Sequence, residues 1–257
     1  GIVYCPSRKK VEKLASELVD EGFTALPYHA GLDDHLRKKH QEAFVKDEAR
    51  IIVATVAFGM GIDKPDVRYV VHAGMPKSVE HYQQEAGRAG RDGLLSDCRL
   101  LYSKGDYAFW RRMQSELEGE AYQSALDKLN AMYSFCRSSR CRHAQLAEYF
   151  GQRGKRANCE ACDCCVQGSA AANRTEPELP GLMETIPRQQ KPKAMPEKSW
   201  EGVDKGLFEF LREKRLELAR ARSKPAYIVF SDKTLRDMAR RAPVTAREFA
   251  LLEGVGE

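Results

Sequence analysis

Apolar positions in residues 1–105 fall into short unbroken runs, separated by longer stretches in which they recur every third or fourth place. The runs Ile2–Tyr4, Ala25–Tyr28, Ile51–Ala54, Tyr69–His72 and Leu100–Tyr102 are brief and β-rich, which predicts strands. Val11, Leu14 and Leu18, with polar residues between them, predict an intervening helix. Strand and helix alternating at this spacing predict βαβ units: a parallel sheet with helices on both faces. From Asp106 to Phe150 the period turns helical. Trp110, Met113 and Leu117 share one predicted face; Tyr122, Leu126, Leu129 and Tyr133 share another; Leu146, Tyr149 and Phe150 form a third. Gln167–Ser199 holds five of the eleven prolines and few large apolar residues, which predicts an extended linker over residues 168–199. Helical periodicity resumes in residues 200–257 with Leu207, Phe208 and Leu211, then Leu235, Met238 and Ala239. The expected fold class is therefore α/β: a sheet lobe over residues 1–105, a helical module over 106–167 and a small all-α domain over 200–257.

Composition narrows the class. A chain of 257 residues with 42% apolar content accommodates about two domains with real cores. No run approaches the roughly 20 apolar residues of a membrane span; the longest, Ile51–Ile62, is interrupted by Thr55, Gly59 and Gly61. The apolar opening gives way at once to Arg8-Lys9-Lys10, unlike a secretory leader. A cytoplasmic protein, associated with the nucleoid if bacterial, is the expectation. The net charge of +5 is spread almost evenly, so any case for nucleic acid rests on local arrangement. The eight cysteines are not spread evenly: Cys141, Cys159, Cys162, Cys164 and Cys165 crowd together, which suggests metal more than disulfides.

In a parallel sheet, ligands gather beyond the carboxyl ends of the strands. After the first predicted strand comes Cys5-Pro6-Ser7-Arg8, opening a helix whose free N–H groups suit a phosphate. The bland reading of Ser7 is a helix cap. After the third strand, Gly59 and Gly61 leave room for backbone to approach a ligand, and Asp63 is placed to accept from a hydroxyl. Then comes Gln84-Glu85-Ala86-Gly87-Arg88-Ala89-Gly90-Arg91. If this stretch is helical, Arg88 and Arg91 project together; the bland reading is a solvated face. Each piece alone is weak, but the three in order after successive strands are specific.

That order resembles the second motor lobe of superfamily 2 helicases. Gln84…Gly87-Arg88-Ala89-Gly90-Arg91 is similar to their Q-x-x-G-R-x-G-R motif. Ile2–Arg8, Tyr28-His29-Ala30-Gly31-Leu32 and Ala54–Pro65 look like the matching segments of RecQ DNA helicases, and residues 200–257 resemble their HRDC domain. The resemblance implies a RecA-like lobe that closes over ATP held by a first lobe, and a RecQ-type ATP-dependent helicase that unwinds duplex DNA in repair and recombination. It implies Arg91 as the arginine finger, Arg88 as its partner and Gln84 in support, because phosphoryl transfer needs positive charge on the transferred group. It implies that Asp63 meets the ribose, with Gly61 beside the nucleotide, and that Ser7, Arg8 and Thr55 face the DNA backbone. The sequence has no G-x-x-x-x-G-K-[ST] phosphate loop and no acidic D-E-x-H box for Mg²⁺. ATP and Mg²⁺ are thus expected only with the missing first lobe, and this chain alone is expected to be inactive. The linker also leaves no room for the winged-helix domain common in such proteins.

Cys159-x-x-Cys162-x-x-Cys165 with Cys141 at the head of a predicted helix suits a closed structural Zn²⁺ site of four thiolates. Cys164 breaks the every-third spacing and reads as a spare; a redox or disulfide role is the rival reading. Cys5, Cys98 and Cys136 read as buried packing residues. Between Arg212 and Lys224 the sequence is basic, and Tyr227 follows. Arg222, Lys224 and Tyr227 suit single-stranded DNA, with charge along the backbone and a ring to stack on a base; a solvated helix with Tyr227 in the core is the alternative. The expected partners are single-stranded DNA, duplex junctions and the first lobe, with no membrane. A non-enzymatic DNA-binding or adaptor protein built from the same modules is the second functional reading, and an RNA helicase a third.

Overall fold

β1 (Ile2–Tyr4), β2 (Ala25–Tyr28), β3 (Ile51–Ala54), β4 (Tyr69–Ala73) and β5 (Asp97–Leu101) pair in parallel, in the order β2-β3-β1-β4-β5, in the computed structural model. The described residues are 1–59, 63–152, 158–166 and 200–255. Gly61 and the expected linker of residues 168–199 lie outside them. The chain divides into one unit of Gly1–Trp110 with Lys198–Glu257 and another of Arg111–Glu197.

β1 and β3 are central and buried along their whole length, which is why their sequences are continuous apolar runs rather than alternating ones. α1 (Arg8–Asp20) covers one face, packing Val11 and Ala15 on Val3, Val53 and Ala25. The other face packs Phe44, from α2 (Asp34–Val45), and Phe58 on Ile2, Ile52 and Val70. Each fully buried Ile, Val or Phe contributes about 1.5–3 kcal/mol to holding these layers together. β5 begins earlier than the Leu100–Tyr102 run suggests, and its exposed Asp97 and Arg99 mark it as a polar edge. The chain runs from β1 outward to β2 and β3 on one side, then to β4 and β5 on the other. The order therefore reverses between β1 and β4, the place where open parallel sheets form a crevice.

The terminal domain belongs to the same unit. α8 (Lys205–Ala221), α9 (Ala226–Val229), α10 (Asp232–Arg241) and α11 (Ala246–Ala250) enclose a core of Phe208, Leu235, Met238, Ala239 and Leu252. One surface meets the lobe. Lys64 Nζ lies 5.6 Å from the Tyr227 ring centroid, and Arg68 Nε lies 3.9 Å from Asp232 Oδ2. In the second unit, α5 (Gly119–Arg137) buries Leu129, Met132, Phe135 and Cys136. α6 (Arg142–Tyr149) and α7 (Asp163–Val166) follow it. Two expected faces are not core. α4 (Lys104–Gln114) stops before Leu117 and buries no residue, leaving Met113 and Leu117 exposed; Tyr149 and Phe150 are exposed as well. Among the described residues no helix is long and apolar enough to cross a membrane.

Candidate functional site

The expected residues fall in two places: Ser7, Arg8 and Thr55 follow the carboxyl ends of β1 and β3, whereas Asp63 and Arg91 lie with the segment that leads into the amino end of β4. Ser7 is the N-cap of α1 and accepts from Lys10 N at 3.3 Å, so its hydroxyl serves the helix, an arrangement worth about 1 kcal/mol. Arg8 is exposed and lies across the end of β2; a Cβ on Gly31 would come within 3.0 Å of its Nη1. Thr55 donates its backbone N–H to Tyr28 O at 3.2 Å and lines a cavity of about 170 Å³ in the crevice between β1 and β4. Cys5, His72, Met75, Lys77 and Trp110 line it too. Burial pushes the Cys5 thiol up to about 11, which keeps it protonated and unreactive near neutral pH.

The two arginines do not share a helical face. α3 (Val79–Ala86) ends at the Gly87 cap, and Gly90 turns left-handed at φ +63°, where a Cβ would come 2.7 Å from Leu94 O. The chain is therefore in turns at both arginines, and they diverge. Arg88 packs flat against Gly59, so closely that a Cβ there would lie 2.2 Å from its Nη2. Arg91 Nη1 reaches Asp63 Oδ1 at 2.9 Å in an exposed ion pair. The turn is pinned to the segment after Asp63 by Gly90 N to Val67 O at 2.9 Å and by Arg68 Nη2 to Asp92 Oδ2 at 2.5 Å. The structure thus joins the motif after β3 to the motif after α3: Gly59 with Arg88, and Asp63 with Arg91. Gln84 is exposed on α3.

In the second unit the sulfur atoms of Cys141, Cys159, Cys162 and Cys165 lie within 4.8 Å of one another. A tetrahedral zinc with Zn–S near 2.3 Å needs its sulfurs about 3.8 Å apart, so the four fit the ion with little adjustment. Backbone N–H groups converge on them: Cys162 N to Cys159 Sγ at 3.2 Å, Cys159 N to Cys165 Sγ at 3.4 Å and Arg142 N to Cys162 Sγ at 3.4 Å. The Cys159 N–H favours a thiolate on Cys165, yet burial and hydrogen bonds to the other three thiols push it up to about 12. Thiols so crowded ionise together only around a cation. Arg142 clamps Asp163 with two hydrogen bonds, Nε to Oδ1 at 3.0 Å and Nη2 to Oδ2 at 3.1 Å, tying the start of α6 to α7. Burial works against the Asp163 carboxylate, but that fork outweighs it and holds its pKa below the ordinary value. Cys164 is outside the group; its thiol is buried and points to Ser138 O at 3.7 Å.

Three expectations need correction. Cys98 is exposed on the edge strand β5, whereas Cys5 and Cys136 are buried. Arg215, counted in the basic edge of the terminal domain, is buried and bonds Asp232 Oδ1 and Phe230 O, both at 2.8 Å. Tyr227 is half-buried against Lys64 rather than presented to solvent; Arg222 and Lys224 remain exposed.

Comparison with known families matches the three parts separately. Residues 1–93 match the helicase conserved C-terminal domain, residues 104–166 the RecQ zinc-binding domain and residues 204–257 the HRDC domain. The chain carries a RecQ-family C-terminal region. The ATP-dependent DNA helicase RecQ of Bacillus subtilis is 31% identical over 339 residues, covering 100% of this chain and 57% of that protein. That stretch is longer than the 257 residues here, so the relative carries segments this chain lacks. The Pasteurella multocida protein of the same name is 44% identical over 168 residues, 65% of this chain and 26% of its own length. The RecQ-like DNA helicase BLM of Xenopus laevis is 47% identical over 177 residues, 65% of this chain and 13% of its own length. The chain therefore spans less than two thirds of each of these RecQ-family relatives.

Within this RecQ-family lobe, sequence reasoning passed over a buried polar group. Tyr4 Oη donates to Phe58 O at 2.9 Å, and the Tyr4 ring stacks on His72, with centroids 5.5 Å apart. His72 Nε2 meets Glu85 Oε2 at 2.9 Å, out of solvent. The available signal was a histidine inside an otherwise apolar strand and a glutamate on the inner face of α3, since buried polar groups need partners.

Proposed function

We propose that the chain is the DNA-gripping and nucleotide-closing part of an ATP-driven DNA helicase. The observation that carries this reading is the pairing of Gly59 with Arg88 and of Asp63 with Arg91 along one edge of a RecA-like lobe. In this reading a first lobe holds the phosphates and Mg²⁺. Closure then brings Arg91 to the γ-phosphate, with Arg88 and Gln84 in support and Asp63 and Gly61 at the ribose. An exposed Arg91–Asp63 pair can open at small cost to let the guanidinium turn toward its target. Ser7, Arg8 and Thr55 take the DNA backbone at the carboxyl ends of β1 and β3, where phosphate contacts position the strand without reading it. Arg222 and Lys224 add phosphate contacts from the terminal domain, and Tyr227 offers for stacking the part of its ring left exposed. Functional boundaries fall at residues 1–105, 106–167, 168–199 and 200–257, and the protein works in the cytoplasm on single strands and duplex junctions.

Unwinding of a fluorescently labelled partial duplex tests the reading, using the chain joined to a first lobe. ATP-dependent strand release is expected. Tight DNA binding without release or ATP turnover would favour the adaptor reading instead. The chain by itself is expected to hydrolyse no ATP, because nothing in its sequence can cradle the β- and γ-phosphates; phosphate release by purified chain would contradict this.

The same reading makes Cys141, Cys159, Cys162 and Cys165 the ligands of one structural zinc. Cys164→Ser is expected to leave the metal content of gel-filtered protein unchanged, whereas Cys165→Ser should lower it. The opposite pattern would show that the wrong neighbour was chosen.

A further inference from the structure

We propose that Tyr4 is a positioning residue for Arg88, holding its guanidinium against the Phe58–Gly59 backbone so that it faces the nucleotide in a fixed pose. This rests on the ATP-driven reading above.

Tyr4 ends the central strand and is 4% exposed, so its phenol rises from the most rigid part of the lobe. Its hydroxyl has one proton and donates it to Phe58 O at 2.9 Å. That fixes the backbone just before Gly59, and Gly59 is the wall on which Arg88 lies: an added Cβ would fall 2.2 Å from Nη2 and 2.6 Å from Cζ. The positive charge of the guanidinium also acts on the phenol, opposing the upward push that burial gives its pKa. Tyr4 thus fixes the loop after β3 at the point where the Arg88 guanidinium lies on it. Arg88 Nε is buried without a partner among the described residues, so this slot is all that orients the group along that edge.

The ring itself cannot swing away. His72 stacks on it with 23° between planes, and Tyr82 closes the far side of His72, with centroids 5.1 Å apart. His72 is tied to Glu85, whose carbonyl accepts from Arg88 N at 3.3 Å. The path from Tyr4 to Arg88 is therefore closed twice, once through Phe58–Gly59 and once through His72–Glu85. Removing only the phenol oxygen leaves both stacks in place but orphans the Phe58 carbonyl and frees Arg88. Misplacement of a charge-stabilising group by about 1 Å can cost on the order of 10²-fold in rate.

Tyr4→Phe is the test, because the ring shape and the fold survive it. In the chain itself, hydrogen exchange at Arg88 Nε–H, read by NMR, is expected to be slow and to quicken at least tenfold in Tyr4→Phe. In protein joined to a first lobe, kcat for DNA-stimulated ATP turnover is expected to fall by about 10–100-fold, with KM for ATP within about twofold. Adding Tyr4→Phe to Arg88→Ala should then change nothing further, since residues acting through one another are not additive. Equal losses in both backgrounds, or unaltered exchange at Arg88, would overturn the proposal. Absence of turnover in the unaltered joined protein would instead sink the ATP-driven reading, and the exchange measurement would still decide whether Tyr4 holds Arg88.

Discussion

Arg91→Ala, in protein joined to a first lobe, is expected to lower kcat for DNA-stimulated ATP hydrolysis by about 10³–10⁵-fold, the usual worth of an arginine finger. KM for ATP should change little, because the guanidinium meets the γ-phosphate chiefly in the transition state. The structure sharpens the contrast with a merely structural role. Arg91 pairs with Asp63, the two side chains being 38% and 88% exposed, and such exposed pairs contribute about 0–1 kcal/mol. Arg91→Ala should therefore keep its melting temperature while losing turnover. Single-strand binding should persist, since Ser7, Arg8 and Thr55 lie at the carboxyl ends of β1 and β3, away from the Arg91 turn. Arg91→Lys should rescue poorly, for an ammonium cannot reproduce the planar fork. A folded Arg91→Ala protein with near-normal turnover would move the finger to Arg88, which lies against Gly59 on the neighbouring segment.

Cys162→Ser should have the largest effect on stability. Zinc binding at four thiolates contributes apparent free energy of about 10–16 kcal/mol in small zinc domains, and there it is folding free energy. Cys162 is tied on both sides: its sulfur accepts from Arg142 N, and its own N–H donates to Cys159 Sγ. Its loss should strip the metal and unfold α6 and α7, exposing the Arg142–Asp163 pair to solvent. Metal analysis should fall from one zinc per chain to near none, and a chelator applied to unaltered protein should reproduce the unfolding. Acid should do so too. The Asp163 pKa is held below its ordinary value, so the clamp contributes fully above that ordinary value and is lost as pH falls through the lowered one. Thiolate protonation at higher pH releases zinc first, so the clamp does not set the midpoint.

What could be read from the chain depended on how local its cause was. β1 and β3 were legible to the residue because buried parallel strands are continuous apolar runs. The zinc cysteines were legible because three of them lie three apart, a spacing that needs no knowledge of the fold. β5 was misplaced because Asp97 and Arg99 face solvent at a sheet edge, where no apolar pattern is required. The helical face of Trp110, Met113 and Leu117 was drawn one turn too long, since α4 ends at Gln114; and periodicity shows amphipathicity, not whether anything covers it. The arginine motif was recognised but its geometry was not, since Gly87 and Gly90 end the helix and send Arg88 and Arg91 to different partners. Arg215 and Tyr227 were drawn as a solvent-facing edge because Asp232 and Lys64, their partners, are respectively seventeen residues on and in another domain. The Tyr4–His72–Glu85 group was invisible for the same reason: its members come from β1, β4 and α3, and only the sheet order joins them.

Phosphate release by the chain joined to a first lobe, measured with and without single-stranded DNA, tests the central claim most directly. Turnover that is weak alone, rises many-fold with DNA and vanishes in Arg91→Ala is the predicted result. A joined protein that binds DNA and zinc but releases no phosphate under any condition would contradict the account.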